Sequence, residues 1–173
     1  FDALVSAIKH NTGFSANMRE LTFVNSWHVL EHESAAMWSQ YLRSEDGIAV
    51  RSTYQRLVDA FAPCTEFPIH VGLIRYLDYE VEAIPFGQAM FPMMHKRRSF
   101  EHEHELRALI WLPEVESTSN PQVSANPATS AYHGRSGLYV NTDIGRLIDK
   151  IYVAPSAPKW FVEVVESLLR RYG

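Results

Sequence analysis

The sequence predicts an α+β domain: a mixed or antiparallel β-sheet, continuous or split, with short peripheral helices and a C-terminal amphipathic helix. Three observations carry this prediction. Leu106, Ala108, Ile110 and Leu112 fall at every second position, an apolar stripe along one face of a strand running from Glu105 to Leu112. Phe161, Val164, Val165, Leu168 and Tyr172 recur at helical spacing behind Pro158, and Arg170 and Arg171 complement the dipole at that helix's C-terminus. Finally, several β-rich stretches are joined by connections too short for the helical crossovers that parallel strands require.

In chain order, Leu4, Val5 and Ile8 give a short helical pattern, closed by turn chemistry at Asn11-Thr12-Gly13. Leu21 to His28 is rich in β-formers and reads as a buried strand. Ser34 is placed to cap a helix over Glu33 to Leu42, where Met37, Trp38 and Tyr41 fall on one face. Core packing is the ordinary reading of such a trio; a wall for a flat ring such as adenine or nicotinamide is the other. Gly47 to Thr53 reads as a strand and Tyr54 to Phe61 as a helix with Leu57, Val58 and Phe61 inward. Ile69 to Tyr79 is the longest β segment, and Gly72 within it marks a bulge or a close backbone approach. Pro85 to Met94 is irregular and rich in Met and Phe. Glu114 to Ser136 lacks periodicity and reads as a flexible loop. Gly137 to Asn141 and Asp149 to Val153 read as short strands, with a helical turn over Ile144 to Leu147 between them.

Composition narrows the function classes. With 173 residues, 46% of them hydrophobic, the chain supports one domain over 1–173 with its own core, and its opening at Phe1 suggests the C-terminal part of a longer protein. A net charge of −4 argues against a nucleic-acid partner, leaving Lys96-Arg97-Arg98 as a local phosphate contact at most. The single cysteine, Cys64, excludes an internal disulfide and a thiolate-rich metal site, in keeping with a reducing cytoplasm. No apolar run is long enough to span a bilayer. No glycine-rich phosphate loop is present, and Ser52, Thr53 and Cys64 lack a nucleophile-elbow sequence.

Two sets of residues point to chemistry. His28-Val29-Leu30-Glu31-His32 spells an H-x-x-E-H string, but its histidines straddle the end of a strand rather than sharing one helix, so no metal site is expected there. His102 and His104 could share a metal only with a third ligand that the spacing does not nominate. The second set is acidic. Read as a strand, Ser99, Glu101, Glu103, Glu105 and Arg107 share one face, although the strand pattern is unbroken only from Glu105 and the entry from Ser99 reads equally as loop. Stacked carboxylates repel, and Arg107 with Lys96, Arg97 and Arg98 is placed to offset that. Such a face suits a site handling a hydroxyl, a sugar or a cationic transition state; it also suits a solvated edge strand.

The blocks SWHVLEHESAAMWSQY, GIAVRST, VGLIRYLDY, HKRRSFEHEHELRAL and IDKIYVAP occur in this order before a last helix. Together they resemble a bacterial family of unknown function whose members are often encoded near phage-defence and mobile-element genes. Glu103-His104-Glu105 is more distantly similar to the E-x-E pair of ADP-ribosyltransferases. That resemblance implies NAD as substrate and an unidentified acceptor, with Glu105 stabilising the oxocarbenium-like transition state and Glu103 orienting the acceptor. Arg107 joins them as the neighbouring cation, Ser52 and Thr53 take the strand-borne Ser/Thr position, and Trp38 and Tyr41 offer the ring wall. A charge-only change at Glu105 is then expected to spare the fold. The alternatives are a non-catalytic interaction or sensor domain using the Glu114–Ser136 loop and the Lys96–Arg98 patch, and a metal-dependent hydrolase using His102 and His104.

Overall fold

The computed structural model describes residues 19–85, 90–112 and 130–172. In chain order the elements are strand β1 (Thr22–His28), helix α1 (Ala35–Tyr41), strand β2 (Ile48–Arg51), helix α2 (Tyr54–Ala60), strands β3 (His70–Leu73) and β4 (Arg75–Leu77), a 3-10 helix (Phe91–Met94), strand β5 (His95–Arg97), a second 3-10 helix (Arg98–Glu103), strand β6 (Glu105–Trp111), helix α3 (Ile144–Leu147), strand β7 (Lys150–Val153) and helix α4 (Lys159–Tyr172). The fold is α+β, as its sequence predicts. The described residues fall into two compact units, one drawn from Phe1–Val29 and Phe67–Tyr139, the other from Leu30–Glu66 and Val140–Gly173.

The first unit is built on β6. This strand lies between β1 and β3, antiparallel to both, with His28 opposite Glu105, Ser26 opposite Arg107 and Leu73 opposite Leu106. Its central place explains its burial: Leu106, Ala108, Leu109 and Ile110 are all buried, so the strand is covered on both faces and only Arg107 and Trp111 are half-buried. Among the described residues β1 has a partner on one side only. It is there an edge strand rather than the buried one its composition suggests, with Val24 exposed and Leu21, just before it, fully buried.

The long β segment expected over Ile69 to Tyr79 divides at Ile74. β3 runs alongside β6 only to the Leu73–Leu106 pair, and the Ile74 N–H is taken by the Glu105 carbonyl at 2.9 Å. Beyond it β4 pairs with β5 instead, in parallel. Gly72 marks a close approach: a Cβ there would lie 2.9 Å from the Met94 Cε atom.

In the second unit β2 and β7 form an antiparallel pair, Ile48 opposite Val153 and Arg51 opposite Lys150. Thr53 caps α2 by accepting from the Arg56 N–H at 3.2 Å, and this helix buries Leu57 and Ala60 rather than Val58. Asp143 caps α3 in the same way, and its own N–H binds the Ala60 carbonyl at 2.9 Å, tying the end of α2 to the start of α3. α1 buries none of its residues; Met37 and Trp38 are half-buried and Tyr41 is exposed. In α4 the Pro158 carbonyl receives the first helical N–H groups, and Val164, Leu168 and Tyr172 are exposed.

Residues 137–141, expected as a strand, form none and have no ladder partner among the described residues, and Arg98–Glu103, where the sequence allows a strand or a loop, winds into a 3-10 helix. The helical pattern over 2–9 and residues 114–129 of the expected loop lie outside the described residues; residues 131–134 form a turn beside the buried Ser130, and the Tyr132 ring packs edge-on against Phe67. Among the described residues, no helix is long and apolar enough to cross a membrane.

Candidate functional site: a buried carboxylate pair

Glu103 and Glu105 converge, but not by sharing a strand. Glu105 opens β6, whereas Glu103 ends the preceding 3-10 helix. His104 between them adopts the left-handed conformation (φ 41°, ψ 52°), which costs a non-glycine residue about 1 kcal/mol or more. Backbone bonds on both sides hold it there: its N–H donates to the Glu101 carbonyl at 3.1 Å, and its own carbonyl accepts from the Val29 N–H at 2.9 Å. His28 Nδ1 lies 2.7 Å from the Glu103 carbonyl, so β1 also steadies the turn. The reversal brings both carboxylates onto one cation. Lys96 Nζ lies 2.6 Å from Glu103 Oε2 and 2.6 Å from Glu105 Oε2.

Strand alternation in β5 aims Lys96 at this cluster while its neighbour His95 is buried, with Nδ1–H donating to the Phe91 carbonyl at 2.6 Å. Arg107, two residues along β6 from Glu105 and so on the same face, completes the set. Its Nε donates to Glu105 Oε1 at 2.5 Å and its Nη2 to Oε2 at 3.2 Å, a two-pronged pair; Nη1 binds the Met93 carbonyl. Ser26, across the ladder, donates its hydroxyl to Glu105 Oε1 at 2.6 Å. The Glu105 N–H is bound by the Tyr76 hydroxyl at 2.8 Å. Each oxygen of Glu105 therefore accepts two bonds.

The Glu105 side chain is 3% exposed, against 11% for Glu103 and 26% for Lys96, so the cluster opens to solvent on the Lys96–Glu103 side. The exposed Phe100 ring stands there too, its centre 5.5 Å from Lys96 Nζ. Burial alone raises the Glu105 pKa, but the hydrogen bonds from Arg107, Lys96 and Ser26 outweigh it and hold the acid at about 2. Burial likewise pulls the Lys96 pKa down, and the bonds to Glu103 and Glu105 outweigh that, leaving it raised. At neutral pH, Glu105 is thus a fixed anion and Lys96 a fixed cation. Glu105 can stabilise positive charge, but it has no proton to give.

No family model, curated protein or solved structure matches the chain.

What bears on function is therefore the chemistry of these side chains. Glu103, Glu105 and Arg107 come together as the sequence suggests, joined by Lys96. Ser26 and Tyr76 carry no signal in the sequence, because only the β1–β6 register and the turn into β4 bring them in. The remaining candidates belong to the second unit. There Ser52 Oγ donates to the Leu147 carbonyl at 2.5 Å, Thr53 Oγ1 caps α2, Trp38 Nε1 binds the Glu33 carboxylate, and Tyr41 is exposed.

One expectation needs correction. His102 and His104 do not alternate with the glutamates along a strand, because one lies on the 3-10 helix and the other is the left-handed residue. The Glu105 carboxylate is the anion shared by Arg107 and Lys96, so a charge-only change there bears on stability as well as on chemistry. In the H-x-x-E-H string, His28 ends β1 and His32 lies in the bend that follows, so the two never share a helix. Among the described residues, no three His, Cys, Asp or Glu side chains are grouped to hold a metal ion.

Proposed function

We propose that the chain is an ADP-ribosyltransferase-like or NAD-glycohydrolase effector, acting in the bacterial cytoplasm in defence or conflict, with the Glu103–Glu105 pair at its reacting centre. The observation that carries the proposal is the convergence of two carboxylates on a single cationic position, with Glu105 kept ionised beneath it. When the bond between nicotinamide and ribose breaks, its electron pair leaves with the ring and the ribose carbon becomes electron-poor. A desolvated, pre-oriented carboxylate stabilises that charge without needing to move a proton. Glu103 stands at the accessible rim, where it can orient a water or an acceptor hydroxyl; the new C–O bond forms as the oxygen's proton passes to solvent. Lys96 holds the place of the cation in the free protein. Its long side chain, open on one side, is the part that yields to substrate.

The gathering of four charged side chains in one spot, two of them buried and two half-buried, supports the same view. Removing ions from water is costly, and well-packed apolar residues would brace a sheet about as well. A second reading is favoured by the saturation of Glu105, whose oxygens already accept two bonds each: the cluster then braces β6 within a non-catalytic interaction or sensor domain. Glu103→Gln separates the two. It alters the rim and leaves the Arg107–Glu105 pair whole. On the transferase reading the folded variant loses nicotinamide release from NAD, while on the bracing reading it keeps the biological phenotype of the unaltered chain.

A further inference from the structure

A second site lies on the opposite side of β5 from the carboxylates. It is a groove of about 310 Å³, at the lower end of volumes typical for small-molecule sites. Its walls include Val71, Phe91, Met94 and Leu109, an apolar lining in which the methionine can adapt to different shapes. Arg75 also lines it and has no hydrogen-bond or ion-pair partner among the described residues. No acidic side chain is among the described residues that line it. The polar groups beside Arg75 are imidazoles: His70, exposed, and His95, buried and oriented by its bond to the Phe91 carbonyl.

From this pairing of an exposed guanidinium, unpartnered among the described residues, with apolar walls, we propose that the groove binds a small amphiphilic carboxylate: an apolar chain laid along the walls, its head group held by Arg75. A plain hydrocarbon would leave the cation without purpose. A polyphosphate would need more than one cation and would gain nothing from the lining. A carboxylate fits the planar guanidinium in two-pronged fashion, and His70 can add an imidazole N–H donor. The site does not depend on the proposal made for Glu103 and Glu105, since His95 and Lys96 face opposite sides of β5.

The experiment compares octanoate with 1-octanol, which share a chain and differ in the head group, by titration of the full chain followed calorimetrically and by NMR. Octanoate is expected to bind saturably at one site and more tightly than 1-octanol. Arg75→Gln should weaken octanoate roughly tenfold and leave 1-octanol unchanged, with an unaltered circular dichroism spectrum, because Arg75 is exposed and has no partner among the described residues. Leu73→Gln, a change in the exposed part of the wall, should weaken both ligands. Arg97→Gln, an exposed cation outside the groove, should weaken neither. Octanoate binding no tighter than 1-octanol, equal loss with Arg97→Gln and Arg75→Gln, or undiminished octanoate binding by Arg75→Gln would each overturn the proposal.

Discussion

Replacing Glu105 with Gln changes almost no volume, yet it removes the anion shared by Lys96 and Arg107. The amide oxygen can take over the bonds from Lys96 Nζ and Arg107 Nη2. Its NH2 group then faces the Ser26 hydroxyl, which can turn to accept, and the Arg107 Nε–H, which cannot. One cation is left facing a donor in a largely buried place. Breaking a buried pair from one side costs about 3–5 kcal/mol, and the two bonds that Gln retains bring the expected loss to roughly 2–4 kcal/mol. The acid's own titration gives a second measure. Lowering it from 4.5 to about 2 corresponds to roughly 3 kcal/mol of stability, which solvent reaching the Lys96 side screens to about 2 kcal/mol. Because the folded-state pKa is depressed, that stability is present above pH 4.5 and is lost as the pH falls through about 2. Urea unfolding followed by tryptophan fluorescence at neutral pH and near pH 2.5 reads both quantities. The variant should be less stable by the stated amount at neutral pH, and the gap should narrow in acid. A loss below about 1 kcal/mol at neutral pH, or a gap of the same size in acid, would refute this account of the cluster.

Two further changes probe its geometry. Lys96→Met leaves Glu103 and Glu105 facing one another with only Arg107 to offset them, so stability at neutral pH should fall by about 1–3 kcal/mol and recover partly in acid as the pair takes up a proton; an equal loss at both pH values would contradict it. At His104 the backbone rather than the side chain is at stake: His104→Gly should unfold within about 1 kcal/mol of the unaltered chain, while His104→Val, disfavoured at φ 41°, should lose at least 1–2 kcal/mol, and equal midpoints for the two variants would rule out strain at this position.

How far the sequence alone reaches differs along the chain. β6 is legible because Leu106, Ala108 and Ile110 keep the strand period, and α4 because its apolar residues keep the helical one. The stretch from Arg98 to His104 is not, since alternating Glu and His suits a strand face as well as a 3-10 turn, and the left-handed residue is a histidine where a glycine would have announced it. The break at Ile74 depends on where β6 begins, a tertiary fact with no local signature. Residues 137–141 show the converse: a strand-like pattern stays out of any ladder when no partner strand among the described residues runs beside it. At the site, Lys96 and Arg107 follow from charge complementarity with the glutamates. Ser26 and Tyr76 require the register, which pattern alone does not supply.

Nicotinamide release from NAD, measured with the full chain and its folded Glu103→Gln variant side by side, bears most directly on what the paired carboxylates do. Release by the unaltered chain, abolished in the variant while its circular dichroism and unfolding midpoint stay close to the original, is the predicted result. Release that persists undiminished in the variant, or none above buffer from the unaltered chain with water or any acceptor offered, would contradict it.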